Sequence, residues 1–353
     1  MNRDITNQKI ILEGYNYRET KPFFTVLVFD YIRHEYTREA IRSVLNQSIS
    51  NGLVELLILT DDIDGDFSYI PKTFPFVVCY TGLIIFGESM ALGLQISRGE
   101  VVCLLDNDDK WLVDKLCDLY FYFTHFPEIG FIKDEIIPMV NGEDKRLNSR
   151  FRLRMNIHRN STDSFFILEK NPPNEILGRA LTHNNSSMSI RKNSLNIDFK
   201  LFSEISYFQD VTIFFTMALK CKYTSFLDKR LTYYRVAQDK IGQNRSNSQK
   251  LIKKEIFQNN LELFQSNFYD KITYSSKQYL KDLYSDFILT LKMYFNARYK
   301  KYYHIRNKDV FAMLIRAIRT KSINKILMFF LYIGSEIFGL RVAKIVWGDQ
   351  DSF

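Results

Sequence analysis

Residues 101–111 read VVCLLDNDDKW, and this stretch decides both the fold and the site that we expect. Five apolar residues, rich in Val and Leu, run directly into Asp106, Asn107, Asp108 and Asp109. A run of this composition predicts a strand that is buried on both faces. Because burial of an unpaired charge is costly, the carboxylates should lie where the strand leaves the core, at the carboxyl edge of a sheet.

Carboxylates clustered at one edge repel one another unless a cation joins them. Oxygen ligands of this kind suit Mg²⁺ or Mn²⁺, which keep several waters and bridge to substrate phosphates. A solvated acidic turn is the alternative, since Asp and Asn are common turn residues. The acidic stretch alone leaves both interpretations open.

The preceding residues alternate between predicted strands and predicted helices. Apolar runs predict three more buried strands, at residues 23–29 (FFTVLVF), 54–60 (VELLILT) and 76–80 (FVVCY). Apolar stripes predict helices at about 35–47, with Thr37 as the cap, and at about 88–97. The strand at 54–60 ends in a second acidic pair, Asp61 and Asp62. This alternation predicts right-handed crossovers and a mostly parallel sheet.

The four segments together resemble the inverting glycosyltransferases of family 2, which have the GT-A fold. The matching segments are TVLVFDYIR (25–33), REAIRSVLNQS (38–48), VELLILTDD (54–62) and SRGEVVCLLDNDDKW (97–111). Their order and spacing match the family over about residues 23–115, and a weaker match continues to about residue 240. The resemblance implies an α/β GT-A domain with a mostly parallel sheet flanked by helices, followed here by a C-terminal helical region.

The resemblance also implies a donor site for a UDP- or GDP-sugar. The residues implied to hold the nucleotide are Tyr31, Arg33, Asp61, Asp62 and Asp106. Asp106 and Asp108 match the DxD motif of the family, in which the second acid binds the Mg²⁺ or Mn²⁺ that bridges the donor diphosphate. Asp109 and Trp111 match the usual continuation of that motif.

The second half of the chain contains the implied catalytic base. Asp210, in SYFQD ahead of an apolar helix at 211–219, matches the family's general base, and Gln209 replaces a Glu. An Asp here would also favour the positive end of the helix, and both roles can hold together. Arg235 matches a Tyr-Arg pair near the end of the catalytic domain. Candidates for contacting the diphosphate or the acceptor are Arg235, Gln209, Asp109 and Trp111.

Two further segments between these motifs predict strands. Residues 131–137 predict a strand that is interrupted by Lys133, Asp134 and Glu135. Residues 182–191 (THNNSSMSIR) resemble the family's strand in the acceptor half of the site.

Several departures from the family pattern keep other functions open. Ser89, Met90 and Ala91 stand where the family often has Ala-Arg-Asn, and the His expected shortly after Arg235 is missing. A decayed relative that serves as a binding or scaffolding subunit is therefore the alternative. A nucleotidyltransferase is disfavoured, because the segment after the first strand lacks the glycines of a phosphate loop.

Composition and charge suggest where the protein works. The chain has 353 residues, 46% of them hydrophobic, and a formal net charge of +8. It begins without an apolar signal-peptide core, and its four cysteines have no metal-ligand spacing, so we expect reduced thiols in the cytoplasm.

We divide the chain into an N-terminal arm (1–21), a catalytic domain (22–245) and a basic, amphipathic helical region (246–353). Residues 292–325 include ten basic residues and a single acidic residue, Asp309. The apolar runs at 326–333 and 337–340 are too short to span a bilayer. This region predicts peripheral contact with an anionic membrane, at the inner face of the cell membrane. Packing of these helices on the catalytic domain is the alternative, and nucleic acid is not expected as a partner, because no recognised motif for it is present.

Overall fold

The computed structural model describes residues 9–14, 17–19, 21–82, 86–139, 162–170, 172–180, 184–194, 199–206, 208–236, 247–299, 305 and 307–319. In this part of the chain ten strands form a single mixed sheet, and helices flank it. The predicted class, an α/β GT-A sheet followed by helices, is confirmed.

Strands and helices alternate through the amino-terminal half. The elements are β1 (Lys9–Glu13), β2 (Phe24–Asp30), α1 (His34–Leu45), β3 (Val54–Thr60), β4 (Phe76–Tyr80), α2 (Phe86–Ile96), β5 (Val101–Asp106), β6 (Lys110–Trp111) and α3 (Lys115–His125). All seven residues of β2 and of β3 are buried, which explains why both strands are apolar on both faces. The predicted bounds of β3 and β4 agree with the structure residue for residue.

The carboxyl-terminal half has fewer strands and more helices. Its elements are β7 (Ile129–Met139), β8 (Ser164–Ile167), α4 (Asn174–Ala180), β9 (Met188–Arg191), α5 (Phe199–Glu204), α6 (Gln209–Lys220), β10 (Tyr223–Arg235), α7 (Asn247–Thr273), α8 (Gln278–Tyr299) and α9 (Asn307–Arg319). The predicted boundary between the catalytic domain and the helical region, at 245/246, lies outside the described residues, as do the apolar runs at 326–333 and 337–340.

The strand order is β1-β4-β3-β2-β5-β9-β7-β10-β6, and β8 pairs with β10. Strands β4, β3, β2 and β5 are parallel, so their carboxyl ends meet at one edge. Strand β9 lies antiparallel between β5 and β7, and β10 is parallel to β7. The antiparallel strand β1 extends the sheet on its other side, so five residues of the predicted N-terminal arm belong to the sheet.

The prediction of an interrupted strand at 131–137 is wrong, because β7 runs without a break through its charged residues. Lys133, Asp134 and Glu135 are all buried. Burial is tolerated because each has a buried partner: Ser187 Oγ at 2.8 Å, Lys115 Nζ at 2.6 Å and Arg179 Nε at 2.7 Å, respectively.

The prediction of Thr37 as a helix cap is also wrong. Helix α1 begins at His34, and no side chain caps its first turn at Arg33. Thr37 lies inside the helix, where its hydroxyl donates to the Asp30 carboxylate. Instead of accepting a bond from a backbone N–H as a cap would, the Thr37 hydroxyl satisfies a buried carboxylate, which would be costly to leave without a donor.

Each face of the sheet carries a hydrophobic core. Side chains alternate along the strands, so Leu27 and Leu104 belong to one core while Val26 and Ile58 belong to the other. The first core continues into α6, α7 and α8. Three of its rings come from different helices, with Phe215 at 5.8 Å from both Phe264 and Tyr284. Helices α6 and α7, and α8 as far as Ile288, therefore share one hydrophobic core with the sheet.

Helix α9 packs in a separate small cluster, through Val310 and Met313 against Leu289 and Met293 of α8. None of the helices that the structure describes has the length and apolar character needed to cross a membrane.

Candidate active site

The carboxyl ends of β2, β3 and β5 bring the predicted donor residues to one edge of the sheet. Phe29 of β2 pairs with Asp106 of β5, and Asp30 pairs with Thr60 at the end of β3. The loops that follow these strands carry Tyr31 and Arg33, Asp61 and Asp62, and Asp108, respectively. Parallel pairing of the strands thus brings together side chains that lie up to 77 positions apart in the sequence. The contact between Asp30 and Asn107 is an example.

Asp30 is a buried acid at the end of β2 to which the sequence analysis assigned no role. Its carboxylate accepts hydrogen bonds from the Thr60 hydroxyl at 2.8 Å, from Asn107 Nδ2 at 3.2 Å and from the Thr37 hydroxyl. His34 Nδ1 lies 2.9 Å from it. Asp30 therefore joins the ends of β2, β3 and β5 to the start of α1.

The segment after β2 has an unusual backbone. Ile32 has φ 68°, in the left-handed region that a β-branched residue rarely adopts, and its side chain is 81% exposed. This conformation separates Tyr31, which points into the protein, from Arg33, which pairs with Asp108. The Tyr31 hydroxyl forms hydrogen bonds with Thr81 Oγ1 at 2.8 Å and Ser89 Oγ at 2.7 Å, and burial raises the pKa of Tyr31.

The acids of the DxD segment lie close enough to influence one another. Burial and the charges of Asp109, Asp108 and Asp210 raise the pKa of Asp106 well above its usual range. The backbone N–H of Asp106 donates to Ser186 Oγ at 3.0 Å. Asp210, about a hundred residues away in sequence, therefore belongs to the same electrostatic cluster as the end of β5.

Asp109 and Trp111, the predicted continuation of the motif, are both buried. Asp109 accepts hydrogen bonds from the Arg235 backbone N–H at 2.8 Å and from Asn184 Nδ2 at 3.1 Å. The Trp111 indole donates to the Ser186 carbonyl at 2.8 Å. These bonds hold the acidic loop, residues 107–109 between β5 and β6, against β10 and the turn at Asn185–Ser187. Contact of Asp109 or Trp111 with a ligand stays a prediction.

Arg235 also holds the acidic loop. Its Nε donates to the Asp108 carbonyl at 2.7 Å, and its guanidinium pairs with Glu39 at 2.5 Å while lying over the Tyr36 ring at 4.0 Å. Lys110 reaches the other Glu39 oxygen at 2.6 Å. The sequence analysis missed Glu39, because its partner Arg235 lies 196 positions away.

Asp210 lies in the first turn of α6 and is partly exposed. Its Oδ1 accepts a hydrogen bond from the Val211 N–H at 2.8 Å. Gln209 is buried, and its amide donates to the Ile205 carbonyl at 3.1 Å. The helix follows Phe208, which has φ 68° and packs its ring at 5.2 Å from Phe257 of α7.

Two buried lysines beneath the site also escaped the sequence analysis. Lys115 donates to the Ser186 carbonyl at 2.8 Å and to Thr232 Oγ1 at 2.7 Å, in addition to its pair with Asp134. Lys133 donates to Ser187 Oγ, and burial lowers its pKa to about 8. Both lysines therefore donate hydrogen bonds to the turn at Asn185–Ser187, which also accepts the hydrogen bond from the Asp106 N–H. This structural role follows from the fold and not from the sequence pattern.

Within the described ranges, no three His, Cys, Asp or Glu side chains are grouped so that they could hold a metal ion by themselves. Asp106 and Asp108 could supply two carboxylates. The repulsion that raises the pKa of Asp106 would be relieved by a cation, so this donor set fits Mg²⁺ or Mn²⁺ if other ligands complete the coordination.

The sheet and its flanking helices have the GT-A fold. Crystal structures of residues 1–349 of TarS from S. aureus are similar to this chain. The structure titled TarS 1–349 gives a TM-score of 0.51 at 15% identity, over 90% of this chain and 82% of that one.

Two further structures of TarS 1–349 contain a ligand. The complex with UDP-GlcNAc gives a TM-score of 0.53 at 14% identity, over 92% of this chain and 90% of that one. The complex with UDP gives 0.50 at 14% identity, over 90% and 91%. At these identities the similarity shows the fold. The sequence matches no protein-family model and no curated protein.

Proposed function

We propose that this protein is an inverting glycosyltransferase of family 2, which transfers a sugar from a UDP- or GDP-sugar to a hydroxyl group of a glycan or a lipid-linked acceptor. The observation that carries the proposal is the grouping of Asp106, Asp108 and Asp210 at the carboxyl edge of a GT-A sheet. The similar TarS structures with UDP-GlcNAc and UDP support a nucleotide-sugar donor.

The nucleotide would lie across the ends of β2 and β3. Asp61 and Asp62 are at least partly exposed and can accept hydrogen bonds from the ribose hydroxyls and the base. Arg33 is also partly exposed, beside Asp108, and offers a cation for the diphosphate. Arg235 would act indirectly, without contacting the donor, because its contacts with Glu39 and the Asp108 carbonyl hold the acidic loop in place.

A divalent ion would be held by Asp108 with help from Asp106. Mg²⁺ is commonly bound through one or two carboxylates, with water and substrate phosphates as its other ligands, and two Asp side chains are what this chain offers. When bound, the ion would neutralise charge on the departing diphosphate. Asp109 cannot easily join it, since both of its oxygens accept hydrogen bonds inside the protein.

Asp210 would act as the general base. It removes the proton from the acceptor hydroxyl, whose oxygen attacks the anomeric carbon from the side opposite the diphosphate. The bond from that carbon to the diphosphate breaks as the new bond forms, so the anomeric configuration inverts in one displacement. The hydrogen bond from the Val211 N–H orients the Asp210 carboxylate.

The first test is calorimetric titration with UDP and GDP, with and without Mn²⁺, of the wild type and D108A. We expect Mn²⁺-dependent binding of one nucleotide, weakened by D108A at least about tenfold. D270A removes an exposed aspartate on α7 and should bind like the wild type. Equal binding by D108A would contradict the metal assignment.

The second test concerns the base. D210N should still bind the nucleotide, whereas transfer or slow donor hydrolysis should fall by at least about a hundredfold, in line with loss of a general base. Retention of most activity by D210N would show that the base lies elsewhere.

The alternative is a catalytically decayed relative that serves as a binding or scaffolding subunit of a glycan-assembly complex. The missing Arg-Asn pair and Gln209 favour it, whereas the retained group of mutually repelling acids argues against it. Failure to bind UDP and GDP under every condition would favour this alternative.

We further propose that the protein acts in the cytoplasm, peripherally on the inner face of the cell membrane, where a lipid-linked acceptor would be presented. The support is the excess of basic residues between 292 and 325. The exposed Phe311 and Ile315 of α9 lie one turn apart on the same helix face, as an interfacial helix requires.

A further inference from the structure

His34 lies between two carboxylates at the nucleotide end of the site. Its Nδ1 is 2.9 Å from Asp30 Oδ1, and its Nε2 is 3.3 Å from Asp61 Oδ1. Asp30 is buried and fixed by the hydrogen bonds described above, whereas 39% of the Asp61 side chain is exposed. His34 thus connects a rigid acid of the core to an acid that a ligand can reach.

The contact with Asp30 is a hydrogen bond and the contact with Asp61 is an ion pair, so both are favourable at once only if the imidazole carries two protons. A neutral imidazole has one N–H, so it would direct a lone pair at one of the two carboxylates. Burial lowers the pKa of His34, but the hydrogen bond to Asp30 and the charges of Asp30, Asp61 and Asp62 outweigh this effect and raise it overall. The geometry and the surrounding charges therefore both favour the imidazolium.

The two arginines near His34 have acidic partners of their own, and the neighbouring Glu35 points to solvent. Arg33, the preceding residue, pairs with Asp108. Arg38, one turn further along α1, pairs with Asp66 at 3.2 Å and lies over the Tyr69 ring. Glu35, the following residue, is exposed.

We propose that His34 is a positioning residue of the donor site, whose imidazolium ties Asp61 to Asp30 and holds the Asp61 carboxylate in place for the nucleoside part of the donor. This inference rests on the proposed function. Among the described residues Asp61 Oδ2 has no hydrogen-bond partner, so it can accept a bond from a ribose hydroxyl or a base N–H while Oδ1 stays on His34.

The inference predicts a specific pH dependence. As the pH rises through the pKa of His34, the ring loses one proton and one carboxylate then faces a lone pair. Asp61 is the acid that can move, because Asp30 is fixed in the core. Nucleotide affinity should therefore fall as the pH rises, by about tenfold between about pH 6 and about pH 9.

The experiment measures UDP and GDP affinity against pH by calorimetry, at one fixed saturating concentration of Mg²⁺, for the wild type, H34Q and H34A. The Gln amide can donate to one carboxylate but does not titrate in this range. H34Q should bind with affinity between those of the wild type at low pH and H34A, and with a flatter pH profile. H34A should bind about tenfold more weakly than the wild type at low pH.

Two controls isolate the effect of His34. Asp106 and Asp109 have raised pKa values and can also ionise in this window, so the informative quantity is the difference between the wild-type and H34Q profiles. H125Q changes an exposed histidine at the end of α3 and should reproduce the wild-type profile. Thermal unfolding of each variant checks that the fold is retained.

Parallel profiles for the wild type and H34Q would overturn the inference, as would equal affinity for H34A. Absence of UDP and GDP binding by the wild type at every pH, with or without Mn²⁺, would instead contradict the proposed function. The two failures are therefore distinguishable.

Discussion

Single residues beneath the site show how much of its chemistry depends on burial. Lys133 of β7 is buried, and its charge interacts with Glu135, Asp134 and Asp210. In the sequence it belongs to a charged triplet that predicted a break in a strand. The free-energy cost of burying the Lys133 charge, and the structural role of the side chain, depend on partners that only the fold supplies.

Lys133 should give the folding stability a distinctive pH dependence. Burial lowers its pKa to about 8, below the ordinary value of about 10.5 in the unfolded chain. Between these values the unfolded state binds more protons, so the free energy of unfolding should rise with pH, by at most about 1.4 kcal/mol per pH unit. K133M should remove this rise, which urea unfolding at about pH 7.5 and about pH 10 would detect.

The matched control is K220M, which changes an exposed lysine on α6 whose substitution should leave the pH dependence as it is in the wild type. An unchanged pH dependence in K133M would show that Lys133 stays charged throughout, with its neighbours compensating for burial.

At the scale of elements, the apolar runs were sufficient to predict β2 to β5, because a strand buried on both faces leaves a nearly continuous apolar signal. The acidic ends of β3 and β5 then located the site. The pairing of β9 between β5 and β7 was not predictable, since the residues of β9 carry no information about their neighbours. The Arg235–Glu39 pair escaped for the same reason, because it depends on β10 lying beside β6, whose Lys110 contacts the same Glu39 of α1.

Helix α6 should depend on the C-terminal helices for its position. Phe215 is buried, with ring centroids at 5.8 Å from Phe264 and 6.1 Å from Phe268 of α7. F215A should destabilise the whole protein by about 3–5 kcal/mol, with one unfolding transition, because the core is shared. Chemical denaturation followed by circular dichroism and by fluorescence would test both points.

F121A provides the comparison, since half of the Phe121 side chain is exposed and its loss should cost less than about 1 kcal/mol. Two separate transitions in F215A would mean that the helical region folds independently of the sheet.

At the scale of the whole molecule, the charge is unevenly distributed along the chain. The helical region at 246–353 carries 18 basic and 9 acidic residues, so it accounts for all of the excess positive charge behind the net value of +8. Among the described residues, its buried side chains belong to the shared core as far as Ile288, and α9 packs in a small cluster with Leu289 and Met293 of α8. The sequence predicted helices and charge here, but not which of the helices pack on the sheet.

The full chain should sediment with vesicles that contain about a third phosphatidylglycerol, and much less with neutral phosphatidylcholine vesicles. Binding should weaken in about 0.5 M salt, because the attraction to anionic lipid is electrostatic. Replacement of Phe311 and Ile315 by Ser should weaken the binding that remains in salt. Equal binding to both vesicle types would contradict a role for the basic residues.

If Asp108 binds a divalent ion and Arg33 a diphosphate as we propose, the ion pair between these two side chains makes the binding of the two ligands interdependent. A divalent ion arriving alone must compete with a guanidinium for the same carboxylate, and a diphosphate arriving alone meets uncompensated acids. When both arrive together, Arg33 exchanges one anionic partner for another and no charge is left unpaired. We therefore expect positive cooperativity, in which each ligand strengthens the other by the same factor. Occupancy would then respond to the supply of donor rather than to fluctuations in free divalent ions.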